Sequence, residues 1–119
     1  MDRSNVIGLF IDDVPVLSSL QFSLATEGLA TIAGGPASGG NAAARVLVID
    51  QNYRGDGLGF LAGLREAGCA AMAIVLVTNP AAQFRTRAAS LGADVIEKPL
   101  LGDELSNAIS ALLGHQKAA

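Results

Sequence analysis

The chain has 119 residues, 50% of them hydrophobic, and a mean hydropathy of +0.43, which suits one compact domain over 1–119 and excludes a disordered segment. No apolar run reaches the roughly 18 residues of a membrane span, and Met1-Asp2-Arg3-Ser4-Asn5 lacks the basic-then-apolar start of a secretion signal, so a cytoplasmic protein is expected. A net charge of −3, one Cys, one His and no Trp argue against a nucleic-acid surface, exclude an intramolecular disulfide and leave no basis for a His/Cys zinc site.

Val6-Ile7-Gly8-Leu9-Phe10-Ile11 is an almost continuous apolar run closed by Asp12-Asp13, and it predicts a strand buried on both faces. Asp13 ahead of Pro15 predicts a helix N-cap, with Leu17, Leu20, Phe22 and Leu24 as the apolar face up to Gly28. Leu29 to Ala33 reads as a short second strand. The stretch from Gly34 to Gly40 opposes helix strongly, so a loop with one helical turn at its end is expected before Val46.

Val46-Leu47-Val48-Ile49 is the clearest strand and ends on Asp50. A Gly-rich loop then leads to a helix over Leu58 to Ala67, stopped by Gly68. Ile74-Val75-Leu76-Val77 is the next strand, ending in Thr78, and Ala81 to Leu91 the next helix, stopped by Gly92. Asp94-Val95-Ile96-Glu97 is a fifth strand that runs into Lys98-Pro99. The last helix opens at Gly102 or Asp103, with Leu105, Ile109, Leu112 and Leu113 as its apolar face.

Strands alternating with helices predict an α/β domain, a doubly wound five-stranded parallel sheet. Ligands of such sheets sit at the carboxyl ends of the strands, and the polar residues there are Asp12, Asp13, Asp50, Thr78 and Lys98. Carboxylates gathered at one edge repel each other unless cations compensate them. Mg2+ is the natural choice, with Asp13 and Asp50 as direct ligands and Asp12 helping directly or through water. Asp50 can also act as a nucleophile, Thr78 offers a hydroxyl to a phosphoryl oxygen, and Lys98 offers a positive charge.

Singly, each of these residues has a plain structural reading: an acid at a strand end caps a helix, and a lysine before proline is a solvated loop residue. The set is what points to chemistry. Cys69 reads as a packing residue, and His115, Arg85 and Arg87 as solvated charges or polar groups. Arg54-Gly55-Asp56 reads as a turn.

Phe10-Ile11-Asp12-Asp13, Val46 to Asp50, Val75-Leu76-Val77-Thr78 and Glu97-Lys98-Pro99, in that order and each at a strand end, resemble the receiver domain of bacterial two-component response regulators, of the chemotaxis-regulator type. The resemblance covers nearly the whole chain and implies the flavodoxin-like strand order 2-1-3-4-5. It also implies that Asp50 accepts a phosphoryl group from a sensor histidine kinase or phosphotransfer protein, the chain being a phosphoacceptor and not a turnover enzyme. Asp12 and Asp13 would be the acidic pair for Mg2+, with the Asn52 backbone carbonyl as a further ligand. Thr78 would be the hydroxyl that moves toward the phosphoryl group, Lys98 the lysine of the site, and Lys98–Pro99 a cis bond. A partner protein, a missing output domain or a second copy would meet the face formed by helix 81–91, strand 94–97 and helix 103–113.

The chain departs from the family pattern in four places. The interval from Asp13 to Asp50 is short, so the helix between the second and third strands is expected to be stunted. The loop after Asp50 lacks the usual Pro and is one residue short. Asn79 stands where a small residue is usual, and Val95 stands where the family has a rotating aromatic ring. These departures keep open an alternative, an atypical receiver that binds partners without phosphorylation. A flavin-binding module fits less well, because Asp12-Asp13-Val14-Pro15 puts negative charge where a flavin phosphate would lie.

Overall fold

Val46-Leu47-Val48-Ile49 forms the centre of the sheet in the computed structural model, which describes residues 6–33, 46–68, 71–98 and 104–117. In chain order the elements are β1 (Val6–Phe10), α1 (Val14–Thr26), β2 (Ala30–Ala33), β3 (Val46–Asp50), a 3-10 turn (Tyr53–Gly55) and α2 (Gly57–Glu66). β4 (Met72–Val77), α3 (Ala82–Ser90), β5 (Ala93–Glu97) and α4 (Glu104–Lys117) complete it. The five strands are parallel and ordered β2-β1-β3-β4-β5, the flavodoxin-like order.

Continuous apolar strands need cover on both faces, and the period of two along each strand divides the cover. Phe10, Leu47, Ile49, Val75 and Val77 face one side and pack with Leu58, Leu61 and Leu64 of α2 and Ala88 of α3. Ile7, Leu9, Val46, Val48, Ile74 and Leu76 face the other and pack with Leu20 and Leu24 of α1 and Leu105 and Ile109 of α4. Most of these side chains are fully buried, each contributing on the order of 2 kcal/mol by leaving water. The register aligns Asp50 with Leu76 and Val77 with Glu97, so β3, β4 and β5 end together.

Asp13 is the N-cap of α1 and accepts a hydrogen bond from the Val16 N–H at 3.2 Å, with proline in the first turn. The helix stops where Gly28, at φ +84°, lets the Leu29 N–H turn back to the Leu24 carbonyl at 3.0 Å.

Phe22 corrects the predicted face of α1: it is 74% exposed, because it lies two residues and some 200° around the helix from Leu20 and Leu24. β4 starts two residues earlier than expected, at Met72, and α4 continues to Lys117, so position 115 lies inside it. Arg85 is not a free charge; it forms an ion pair with Glu97. The expectations for 34–45, including the stunted helix, and those for Cys69, the His115 side chain and the Lys98–Pro99 bond fall outside the described residues. Among the described residues no helix is long and apolar enough to cross a membrane.

Candidate functional site

Because the strands are parallel, Asp12 and Asp13 after β1, Asp50 at the end of β3, Thr78 after β4 and Lys98 after β5 all stand at one edge. Asp50 is held from two sides. Its Oδ1 accepts from Lys98 Nζ at 2.6 Å and its Oδ2 from the Asn52 N–H at 2.9 Å. The Asp50 side chain is 14% exposed and that of Lys98 32%. Lys98 reaches it because its own N–H bonds the Val77 carbonyl at 2.7 Å, extending the ladder one residue past β5.

Asp12 Oδ2 accepts from the Arg54 N–H at 2.8 Å, so Asp12 and Asp50 meet the backbone of the same turn, at Arg54 and Asn52. Asp13 is committed to the cap of α1. Among the described residues no three acidic, His or Cys side chains stand close enough together to hold a metal ion as placed. The donor set nonetheless fits Mg2+, which takes one or two carboxylates and completes its octahedron with water and phosphate oxygens. The Asn52 carbonyl already accepts the Gly55 N–H at 2.8 Å, which leaves its second lone pair for a cation.

The 52–57 turn, which lacks a proline, is held by packing and backbone hydrogen bonds. Tyr53 is buried against Phe10 and Phe60, with ring centroids 5.6 and 4.9 Å away, and the Arg54 guanidinium lies over Tyr53 at 5.4 Å. Arg54 takes φ +52°, and Asp56 caps α2 by accepting the Gly59 N–H at 3.0 Å. At Gly57 any Cβ would collide with the Asp50 carbonyl oxygen, so glycine lets α2 start directly beneath the phosphoacceptor candidate.

Thr78 is exposed and makes no hydrogen bond to Asp50. Its N–H donates instead to Gln51 Oε1 at 2.6 Å. Sequence reasoning missed Gln51 and Arg54. The only signal for Gln51 was an amide side chain directly after the strand-terminal acid, within reach of the next strand's end. Asn79 follows at φ +50°, a left-handed conformation that Asn tolerates better than most residues, which accounts for an Asn at that place.

The five-stranded order, with the strand-end residues gathered at one edge, is the fold that solved receiver domains share. No family model matches the sequence, and no curated protein matches it in sequence. Solved structures do. A CheY-like response regulator receiver domain from Methanospirillum hungatei superposes with a TM-score of 0.81 at 21% identity, covering 96% of this chain and 97% of that one. FixJ-N matches at 27% identity and TM-score 0.78, covering 97% of each chain. The beryllofluoride-activated NtrC4 receiver domain dimer matches at 20% identity and TM-score 0.77, covering 93% of this chain and 98% of that one.

Proposed function

We propose that the chain is the phosphoacceptor receiver of a two-component relay and that Asp50 is the residue modified. The observation that carries this reading is the Lys98–Asp50 pair at the carboxyl edge of a receiver-type sheet. A lysine fixed against a largely buried carboxylate orients it and sets a positive charge beside the oxygens on which charge builds during phosphoryl transfer.

In the transfer a carboxylate oxygen of Asp50 attacks the phosphorus of a phosphohistidine on the kinase or phosphotransfer protein. The P–O bond forms as the P–N bond breaks, and the bonding pair leaves with the imidazole, which picks up a proton. The Asn52 N–H holds the carboxylate in place, and the Thr78 hydroxyl is available as a donor to a phosphoryl oxygen. Asp12 and Asp50, with Asp13 and the Asn52 carbonyl beside them, would hold Mg2+, which supplies charge neutralisation for the incoming phosphoryl group.

The product is a modified protein and not a released compound, so the chain acts as a switch. New phosphoryl contacts in one of two arrangements shift the population toward it. Val95 has no ring to rotate, so the signal would pass along the main chain from Lys98 to Glu97 and through the Glu97–Arg85 pair to α3. The face of α3, β5 and α4 would then meet an output partner or a second copy in the cytoplasm.

Intact masses after incubation with a small acyl phosphate, with Mg2+ or with EDTA, test this alongside Asp50→Asn. A gain of one phosphoryl group that requires both Mg2+ and Asp50 is the expected result. No gain, repeated with a panel of histidine kinases, overturns it and leaves phosphorylation-independent partner binding.

A further inference from the structure

Gln51 is fixed on three sides. Its N–H bonds the Leu76 carbonyl at 2.9 Å, its carbonyl accepts the Gly57 N–H at 2.8 Å, and its Oε1 accepts the Thr78 N–H at 2.6 Å. The first two bonds anchor the backbone, so the side chain projects from a rigid base. The third bond crosses from the end of β3 to the first residue past β4. Thr78 is where the ladder stops: Val77 is still paired, its carbonyl taking the Lys98 N–H, whereas the Thr78 N–H is held by a side chain. The chain then turns through Asn79 at φ +50°. The Thr78 hydroxyl bonds none of the described residues.

We propose that Gln51 is a positioning residue of the Asp50 site: its carboxamide, by holding the Thr78 N–H, sets where the loop after β4 stands and so how readily the Thr78 hydroxyl reaches a phosphoryl group on Asp50. This rests on the phosphoacceptor reading and adds to it the group that places the switch hydroxyl. The backbone N–H and the hydroxyl of one residue divide the work. The N–H stays on Gln51 as a pivot, and the hydroxyl turns about the Cα–Cβ bond toward Asp50. Without the pivot the loop must be ordered when the phosphoryl group arrives, and that ordering weakens binding.

The test is a titration with beryllofluoride and Mg2+, read by amide NMR shifts, on the wild-type protein, Gln51→Met and Gln51→Ala, each also in a Thr78→Val background. Both Gln51 variants are expected to bind beryllofluoride about fivefold more weakly, the factor one ordinary hydrogen bond supplies. In the Thr78→Val background, which keeps the N–H and removes the hydroxyl, the same substitutions should change nothing further. Hydrogen exchange of the Thr78 amide should quicken about fivefold or more in both variants while that of Lys98 holds, as expected if only the pivot is lost.

Unchanged beryllofluoride binding in the Gln51 variants overturns the proposal, as does an equal loss with and without the Thr78 hydroxyl. Failure of both variants to fold makes Gln51 a fold staple and overturns it too. A wild-type protein that binds no beryllofluoride sinks the phosphoacceptor reading itself, which separates that failure from a failure of Gln51 alone.

Discussion

Lys98 Nζ donates to Asp50 Oδ1 at 2.6 Å across a separation of 48 residues, with β4 lying between their two strands. Only a parallel sheet whose strands end in register brings these residues together, and the pair survives because each partner is anchored by backbone as well as by the other. Replacing Lys98 with Met removes the charge and keeps most of the apolar stem. Phosphoryl uptake from a small donor is expected to slow by on the order of tenfold to a hundredfold, while Asp50→Asn abolishes it. Uptake by Lys98→Met at the wild-type rate would remove the lysine from the mechanism.

The strands and the acids at their ends were legible in the sequence, because continuous apolar runs closed by a charged residue have few other readings, whereas the strand order followed only from the resemblance to receiver domains. Lys98 was legible for a different reason, that carboxylates gathered at one edge call for a cation. What escaped is set by hydrogen bonds between elements distant in sequence: Asp12 to the Arg54 N–H, Gln51 to the Thr78 N–H, and Arg85 to Glu97. Hydrophobic pattern carries no information about these, since each depends on which loop the fold sets beside which. Phe22 departs for a simpler reason: although apolar, it sits about 200° around α1 from Leu20 and Leu24.

Gly57 and Gly63 both lie in α2 and should respond to alanine in opposite directions. A Cβ at Gly57 meets the Asp50 carbonyl oxygen, a backbone atom that cannot move without shifting β3. Gly57→Ala is expected to lose about 1–3 kcal/mol and to disturb the site. Gly63 is exposed with nothing near the position of its Cβ, so Gly63→Ala should gain about 0.5–1 kcal/mol from helix propensity alone. Urea denaturation of both variants measures this, and a shift of the same sign in the two would contradict it.

Arg65, in the last turn of α2, ties that helix to the loops entering β4 and β5, at the sheet edge away from Asp50. Its Nε donates to the Leu91 carbonyl at 2.8 Å, and one terminal nitrogen donates to the Ala71 carbonyl at 2.6 Å. Both carbonyls are partly shielded from water, and Leu91 closes the carboxyl end of α3. Arg65→Met leaves them without a charged donor, for an expected loss of about 1.5–3 kcal/mol. Arg65→Lys should recover less than half, since one ammonium cannot span the two acceptors as the planar fork does. Full recovery in the lysine variant would show that charge, not geometry, matters.

Asn79 allows the backbone and the access of donors to be separated. Its φ of +50° disfavours residues with a Cβ other than Asn and Asp, so Asn79→Ala should lose about 1–2 kcal/mol and Asn79→Gly almost nothing. Both substitutions shorten the side chain that follows Thr78, on the side from which a phosphodonor is proposed to enter. If the carboxamide limits entry, both variants take up phosphoryl from a small acyl phosphate faster than the wild type, by a few-fold, despite their different stabilities. Denaturation midpoints and uptake rates on the same preparations decide the matter. Rates that fall with stability, slow in the alanine variant and unchanged in the glycine one, would mean that Asn79 serves the turn and leaves the entrance to other residues.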